Sequence, residues 1–453
     1  MKTRDMKSIL FIILVLVPAG IRGQDILDEY IKSGLTNNLA LKQKESEYRL
    51  SIEALREARA LFYPDLSFNA RYTVSDGGRV INLPVGDLLN PVYSTLNALT
   101  SSHNFPAIEN QQIRFLRPHE HETKLRLIQP VFNTDIYYNS KIKKEMTGYG
   151  QADVNQYRRE LVSEIKKAYY NLSMADGIYS MLQETRKVLS ENVRVNRRLV
   201  ENDKVTRDVL YRSEAELGKF DQDLQEAEKQ KVVAAAYFNF LLNRPLTDSV
   251  IIKPPVTFPR LSDYTGDYTA TALANREEIK KLGQYGTIAD LNVKRNQSGV
   301  LPDMFLAIDY GYQGETYEFN REAEYAQASA ILKWNLFKGF ENRSKIRQAR
   351  IDREIVESEL EEAKKQIGLQ VLNTMNEMKT SEKGIAAAES TLANAREAFR
   401  LTAKRYDQGQ ASLLEYLDAR STLTRAEESL IISKCRYLSS FAEFEKVTAV
   451  NKY

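Results

Sequence analysis

Four short segments of this chain alternate apolar and polar residues. Between them, apolar residues recur every three or four positions. Leu66, Phe68, Ala70, Tyr72 and Val74 alternate with Ser67, Asn69, Arg71 and Thr73. Met304, Leu306, Ile308, Tyr310 and Tyr312 alternate with Asp303, Phe305, Ala307, Asp309 and Gly311. Two return segments are less regular. Leu125 and Leu127 stand against Lys124 and Arg126, while Ala326, Ala328, Ala330, Leu332 and Trp334 stand against Gln327, Ser329 and Lys333. A period of two sends successive side chains to opposite faces of a strand. The pattern predicts strands near residues 65–75, 123–132, 303–313 and 325–336. An apolar, aromatic face opposite a polar or small one, over roughly 10 residues, is the signature of a transmembrane barrel strand around a wet lumen.

The intervening stretches predict helices of unusual length, over 133–202 and 340–408. Between 133 and 202 there is no proline, and the glycines are Gly148, Gly150 and Gly177. A helix of about 70 residues extends roughly 105 Å. Ile165, Ala168, Tyr169, Leu172 and Ala175 follow the spacing of one apolar face. Returning helices are predicted over 206–242 and 412–450, each with a seam of period seven. Tyr416, Leu423, Leu430, Tyr437 and Phe444 form one row, and Ala419, Ala426, Ser433 and Ser440 lie three residues on. Leu210, Leu217, Leu224 and Phe238 form the matching row, broken by Lys231. Alternating large and small residues suit knobs in holes between neighbouring helices.

The whole order occurs twice. Gly34 to Tyr72 lies on Ala272 to Tyr310 without a gap, pairing Leu35, Asn37, Lys42, Pro64 and Asp65 with Leu273, Asn275, Lys280, Pro302 and Asp303. Shared residues sit where elements start, stop or turn, so architecture is what repeats. The reading is a first repeat over 24–243, a linker over 244–266 containing Pro245, Pro254, Pro255 and Pro259, and a second repeat over 267–453. Four strands are too few to close a membrane barrel, which takes at least about 8. Each chain must therefore lend its strands to an oligomer, or else the strands form a soluble patch capping a coiled coil.

Residues 1–23 read as a signal peptide. Lys2, Arg4 and Lys7 precede the apolar run from Ile9 to Val17, followed by the small residues Ala19, Gly20 and Gly23. Lys+Arg 64 against Asp+Glu 61 nearly cancel, with no basic block, which argues against a nucleic-acid partner. The single cysteine, Cys435, rules out a disulfide framework. The three histidines fall in one insertion, and no nucleotide-binding or hydrolase motif occurs. An enzyme is not expected, nor is a cofactor.

Several motifs together carry a family resemblance. Asn37-x-x-x-Leu41 and Asn275-x-x-x-Ile279 open the repeats, and Pro64 and Pro302 precede strands. Gln129-Pro130-Val131-Phe132 and the run from Leu332 to Gly339 end the return strands. Arg405-Tyr406-x-x-Gly409-x-Ala411-Ser412-x-Leu414-x-Tyr416-Leu417-Asp418-Ala419 marks the second helical turn. Together they resemble the TolC-like outer-membrane efflux proteins across nearly the whole mature chain. The resemblance implies a mainly α protein with a small membrane β part. It implies a homotrimer with a twelve-stranded barrel in outer-membrane lipid, continuous with a twelve-helix tunnel through the periplasm. It further implies a passive exit duct for a periplasmic adaptor and an inner-membrane transporter, carrying small molecules, peptides or proteins. The rival reading is a coiled-coil scaffold or surface adhesin without a pore.

Gly409 can end one helix and Ser412 cap the next. Ser412-x-x-Glu415 is a capping box, and Glu415 and Asp418, three apart, share a face of the new helix. By the resemblance these acids also form carboxylate rings at a periplasmic constriction, and Asp208 and Tyr406 belong to the bonds that close it. Where better-known members place an arginine this chain has Ala411, for which Arg207 is a candidate substitute. The insertion over 76–122 reads as ordered turns with a small buried patch at Leu88, Leu89, Val92 and Tyr93, and its place would be the extracellular mouth. His119 and His121 share a strand face and are weak metal candidates in an otherwise solvated stretch.

Overall fold

The computed structural model describes residues 23–253, 258–259 and 266–451, with side chains described from Ile26 onward. Residues 1–22 of the expected signal segment and the prolines Pro254 and Pro255 lie outside the described residues. The first half runs α1 (Gly23–Asn37), α2 (Leu39–Ala60), β1 (Asp65–Val74), β2 (Val80–Leu83), α3 (Val85–Thr100), β3 (Gln111–Arg114), β4 (His119–Phe132), α4 (Thr134–Glu201) and α5 (Arg207–Leu241). The second runs α6 (Tyr268–Asn275), α7 (Glu277–Ser298), β5 (Asp303–Gly314), β6 (Glu324–Lys333), α8 (Glu341–Asp407) and α9 (Leu413–Thr448). The helices α4 and α8 are 68 and 67 residues long. Two compact units cut across the repeats: residues 1–51, 146–286 and 354–453 in one, 52–145 and 287–353 in the other.

The second unit holds a four-stranded antiparallel sheet in the order β1-β4-β5-β6. Its register aligns the two faces expected from the alternation. Leu66 pairs Leu127, which pairs Ile308, which pairs Ala328. Phe68, Leu125, Tyr310 and Ala326 make the next row, and the large side chains of both rows are exposed or half-buried. The opposite face carries Arg71, Glu122, Lys124, Arg126, Asp309 and Tyr325 in one hydrogen-bonded group. Arg126 clasps Asp309 through Nε and Nη2 at 2.7 and 2.6 Å. Lys124 donates to Glu122 at 2.6 Å, Tyr325 donates to the same carboxylate at 2.9 Å, and Arg71 stands 3.5 Å from it. An isolated charge taken from water is costly unless paired, so the group holds these residues on one face. Among the described residues, the outer strands β1 and β6 each have one edge without a partner strand. The connections from α2 and α7 and those to the long helices α4 and α8 all lie at one end of the sheet, and the insertion and the β5–β6 loop leave the other.

Three details differ from the sequence reading. Strand β4 begins at His119, because His119, His121 and Glu122 pair with Val74, Tyr72 and Arg71 and extend the ladder toward the insertion. Strand β6 stops at Lys333, its last partner being Asp303. The insertion is a 16-residue helix and a two-stranded hairpin rather than turns alone. Its expected buried patch is not buried: Leu88, Leu89 and Val92 are exposed.

The first unit is helical. Its main core gathers Leu41 of α2, Val154, Ile165, Tyr169 and Leu172 of α4, and Phe238 of α5. Ala272, Ile367, Val371 and Val447 form the counterpart in the second repeat, with Met378, Phe441 and Phe444 beside it. A buried ion pair crosses between the repeats: Arg159 of α4 donates to both oxygens of Glu277 at 3.1 Å, and to the Asn451 carbonyl at 2.6 Å. The α9 seam is buried at Tyr416, Leu423, Tyr437 and Phe444, as its period predicts. In α5 the deeper row is instead Ser213, Phe220, Ala227 and Ala234, three residues on from the leucines.

Candidate functional site

The two helical turns, Asn202–Thr206 and Gln408–Ser412, close hairpins of the same build in the first unit. Each first helix ends on a left-handed residue, Asp203 at φ 54° and Gly409 at φ 71°. Both turns are closed by paired backbone bonds, Lys204 N to Leu199 O at 2.8 Å and Gln410 N to Arg405 O at 2.8 Å.

Ser412 and Glu415 form the full capping box. The Glu415 N–H donates to Ser412 Oγ at 3.2 Å, and the Ser412 N–H donates to Glu415 Oε2 at 2.8 Å. Bonds from the Ser412 backbone and hydroxyl hold the Glu415 carboxyl below its ordinary range. Arg405 lies 3.6 Å from Glu415 and donates to the Gln410 carbonyl at 3.1 Å. Asp418, one turn on, is exposed.

The helix after the other turn is capped differently. The Thr206 hydroxyl donates to the Asp208 carboxylate, which keeps that carboxyl below its ordinary range. Arg207 is exposed beside it. Tyr406 and Asp208 are not brought together. Tyr406 instead donates its hydroxyl to Asn196 Oδ1 of α4 at 2.8 Å, and Asn196 in turn donates to Asn192 at 3.1 Å. The Tyr406 ring lies 4.8 Å from Tyr416, which lies 5.4 Å from Phe399.

A second tether between the hairpins involves a residue the sequence reading passed over. Arg420 of α9 donates to Thr185 Oγ1 of α4, stands 3.6 Å from Glu427 and covers the Phe399 ring at 5.4 Å. Burial lowers its guanidinium pKa from the usual value. A cavity of about 660 Å³ opens alongside, lined by Leu182 and Leu189 of α4, Phe220 of α5, and Leu417 and Arg420 of α9. The signal was present in α4. Leu182, Thr185, Leu189, Asn192 and Asn196 occupy successive seam positions, and Thr185, Asn192 and Asn196 are buried polar residues where apolar ones are the rule.

His119 and His121 fall at the end of the sheet from which the insertion leaves. His119 Nδ1 lies 3.2 Å from the Tyr72 hydroxyl, and the buried His121 ring lies 4.3 Å from Tyr317. Among the described residues no group of three His, Cys, Asp or Glu side chains is placed to hold a metal.

Residues 269–449 match the family of outer membrane efflux proteins. The chain is 20% identical to the outer membrane protein TolC of Salmonella enteritidis over 458 residues, covering 96% of this chain and 84% of TolC. Its fold superposes on the CmeC outer membrane channel of Campylobacter jejuni with a TM-score of 0.76 at 17% identity, covering 94% of this chain and 85% of CmeC. The MtrE outer membrane channel of Neisseria gonorrhoeae gives 0.75 at 17% identity, covering 93% and 88%. The fold is thus the one these two channels have, mainly α with a small β part. The second repeat matches the outer membrane efflux protein family, and nearly the whole chain is similar in fold to solved outer-membrane channels.

Proposed function

We propose that three copies of the chain form a passive exit duct, which receives cargo from a periplasmic adaptor and an inner-membrane transporter. The observation that carries this reading is the four-stranded sheet with two free edges, an exposed apolar face and a charged opposite face. Open edges template pairing with another strand. Joining β6 of one copy to β1 of the next closes twelve strands, meets the minimum for a barrel, and turns Leu66, Phe68, Tyr72, Ile308 and Tyr310 toward lipid. A coiled-coil scaffold has no use for that apolar row. Cargo is chosen upstream, and small molecules and peptides both suit a duct without chemistry of its own.

The gate belongs at the two helical turns. Glu415 and Asp418 supply the carboxylate rings, with Asp208 and Arg207 on the neighbouring turn. The bond from Tyr406 to Asn196 and the bond from Arg420 to Thr185 hold the hairpins together. Arg405, already beside Glu415, supplies a cation near the position where Ala411 replaces the family arginine. The test is single-channel conductance of the purified protein in a planar bilayer, beside the Glu415→Ala/Asp418→Ala variant. A small wild-type conductance that rises in the variant supports both duct and gate. An unchanged variant keeps the duct and leaves Glu415 as a cap, and well-folded trimers that never conduct overturn the duct.

A further inference from the structure

The insertion between β1 and β4 is folded inside out. One face of α3, at Gly86, Asn90, Tyr93 and Asn97, is fastened to the returning segment Phe105–Asn110. Asn90 exchanges two hydrogen bonds with the backbone of Ile108, both 2.9 Å, and Asn97 exchanges two with Phe105 at 2.8 and 3.2 Å. Asn110 Oδ1 caps the helix start, accepting from the Gly86 and Asp87 amides at 2.9 and 3.1 Å. A Cβ on Gly86 would come within 2.5 Å of the Ile108 carbonyl, so the strap lies directly on the helix. The polar asparagines therefore face inward, and Leu88, Val92 and Leu99 form a stripe pointing out at 69%, 51% and 78% exposure. The hairpin below adds exposed Ile81, Leu83, Ile113 and Phe115. A helix held this firmly with its apolar side outward has its cover elsewhere.

We propose that the α3 stripe is a contact between copies of this chain at the extracellular mouth, so that three insertions cover one another and narrow the exit. The proposal rests on the trimeric reading. The insertion continues directly from β1, the strand whose free edge meets the next copy, so it emerges at that seam. Its neck is fixed to the β5–β6 loop by Arg117 and Glu315 at 3.5 Å, which ties it to the β5–β6 side of the same sheet. Bilayer lipid is the less suitable cover, since α3 carries Asp87 as its one charged residue and has no lysine or arginine for lipid phosphate.

The test places a benzophenone amino acid at Val92 in the full-length protein, with Arg321 in the β5–β6 loop as an exposed control. Purified trimers in outer-membrane lipid are irradiated and separated under denaturing conditions. Covalent dimers and trimers from Val92, and none from Arg321, are expected. A Leu88→Ser/Val92→Ser/Leu99→Ser variant is expected to form trimers that dissociate at a lower temperature and conduct more than the wild type. Intact trimers giving only monomer bands or lipid adducts at Val92 would overturn the proposal. Failure of the unsubstituted protein to form trimers at all would instead overturn the reading on which it rests.

Discussion

The Tyr406 hydroxyl donates to Asn196 Oδ1 at 2.8 Å, joining the ends of α8 and α4 through a fully buried amide. Asn196 passes the interaction to Asn192, so two seam positions of α4 are spent on polar side chains that need this partner. A buried acceptor deprived of its donor costs about 1–3 kcal/mol. Tyr406→Phe keeps the ring stacking on Tyr416 and removes only the donor. In a channel closed by this bond, the variant is expected to raise the opening equilibrium by roughly 5- to 150-fold, the equivalent of that energy. Single-channel recording at neutral pH measures it, and unchanged gating would remove Tyr406 from the closing bonds.

Arg420 makes a parallel prediction of a different size. Its guanidinium is partly desolvated, and its Nε is buried without a hydrogen-bond partner. Arg420→Met retains the stem against Phe399 and removes the donor to Thr185. The hairpin contact is expected to loosen while the protein stays folded, because the buried charge disappears with its bond. Faster proteolysis at the two turns with an unchanged unfolding temperature is the outcome that supports this role.

Acid is expected to act on the turns before the cores. The folded carboxyl of Glu415 sits below its ordinary value of 4.5, and that of Asp208 below 3.8. A carboxyl with a depressed folded pKa contributes stability above its unfolded pKa and loses it as pH falls through the folded value. Amide exchange at Leu413–Tyr416 should therefore be flat from neutrality to about pH 5 and accelerate below it. Glu415→Gln should show faster exchange at neutral pH and a flatter acid response.

The buried pair Arg159–Glu277 links the two repeats, with side-chain exposures of 10% and 7%. Glu277→Ala leaves the guanidinium with the Asn451 carbonyl and without its carboxylate. The expected loss is about 3–5 kcal/mol, read as a lower denaturation midpoint. A double replacement, Arg159→Met/Glu277→Leu, should recover most of that loss, since no unpaired charge remains.

Cys435 is a packing residue. Burial pushes its thiol up to about 11, so the reactive thiolate is scarce at neutral pH. Maleimide labelling of native protein should be slow, and it should become rapid on unfolding.

The periodicities settled much of the architecture. Alternation over Leu66–Val74 and Met304–Tyr312 is a direct record of two unlike environments on either side of a strand, and the observed register aligns the same residues. The seam Tyr416–Leu423–Tyr437–Phe444 likewise records a buried helix face. Capping at Ser412 and Glu415 was legible because its partners are three residues apart. Partners far apart in the chain were not. Nothing local joins Tyr406 to Asn196 or Arg420 to Thr185, whereas the bond between Thr206 and Asp208 is two residues long. The same distinction explains the insertion. Composition identified turns and an apolar cluster, but burial depends on which face of α3 its strap occupies. The Asn90 and Asn97 side chains bind the backbone of Ile108 and Phe105 respectively, and that tertiary choice turned Leu88 and Val92 outward. Local pattern determines where helices, strands and caps form, because those depend on neighbours within a few residues. Which polar groups meet across the fold, and which apolar faces stay uncovered, is decided only when distant segments compete for the same partners.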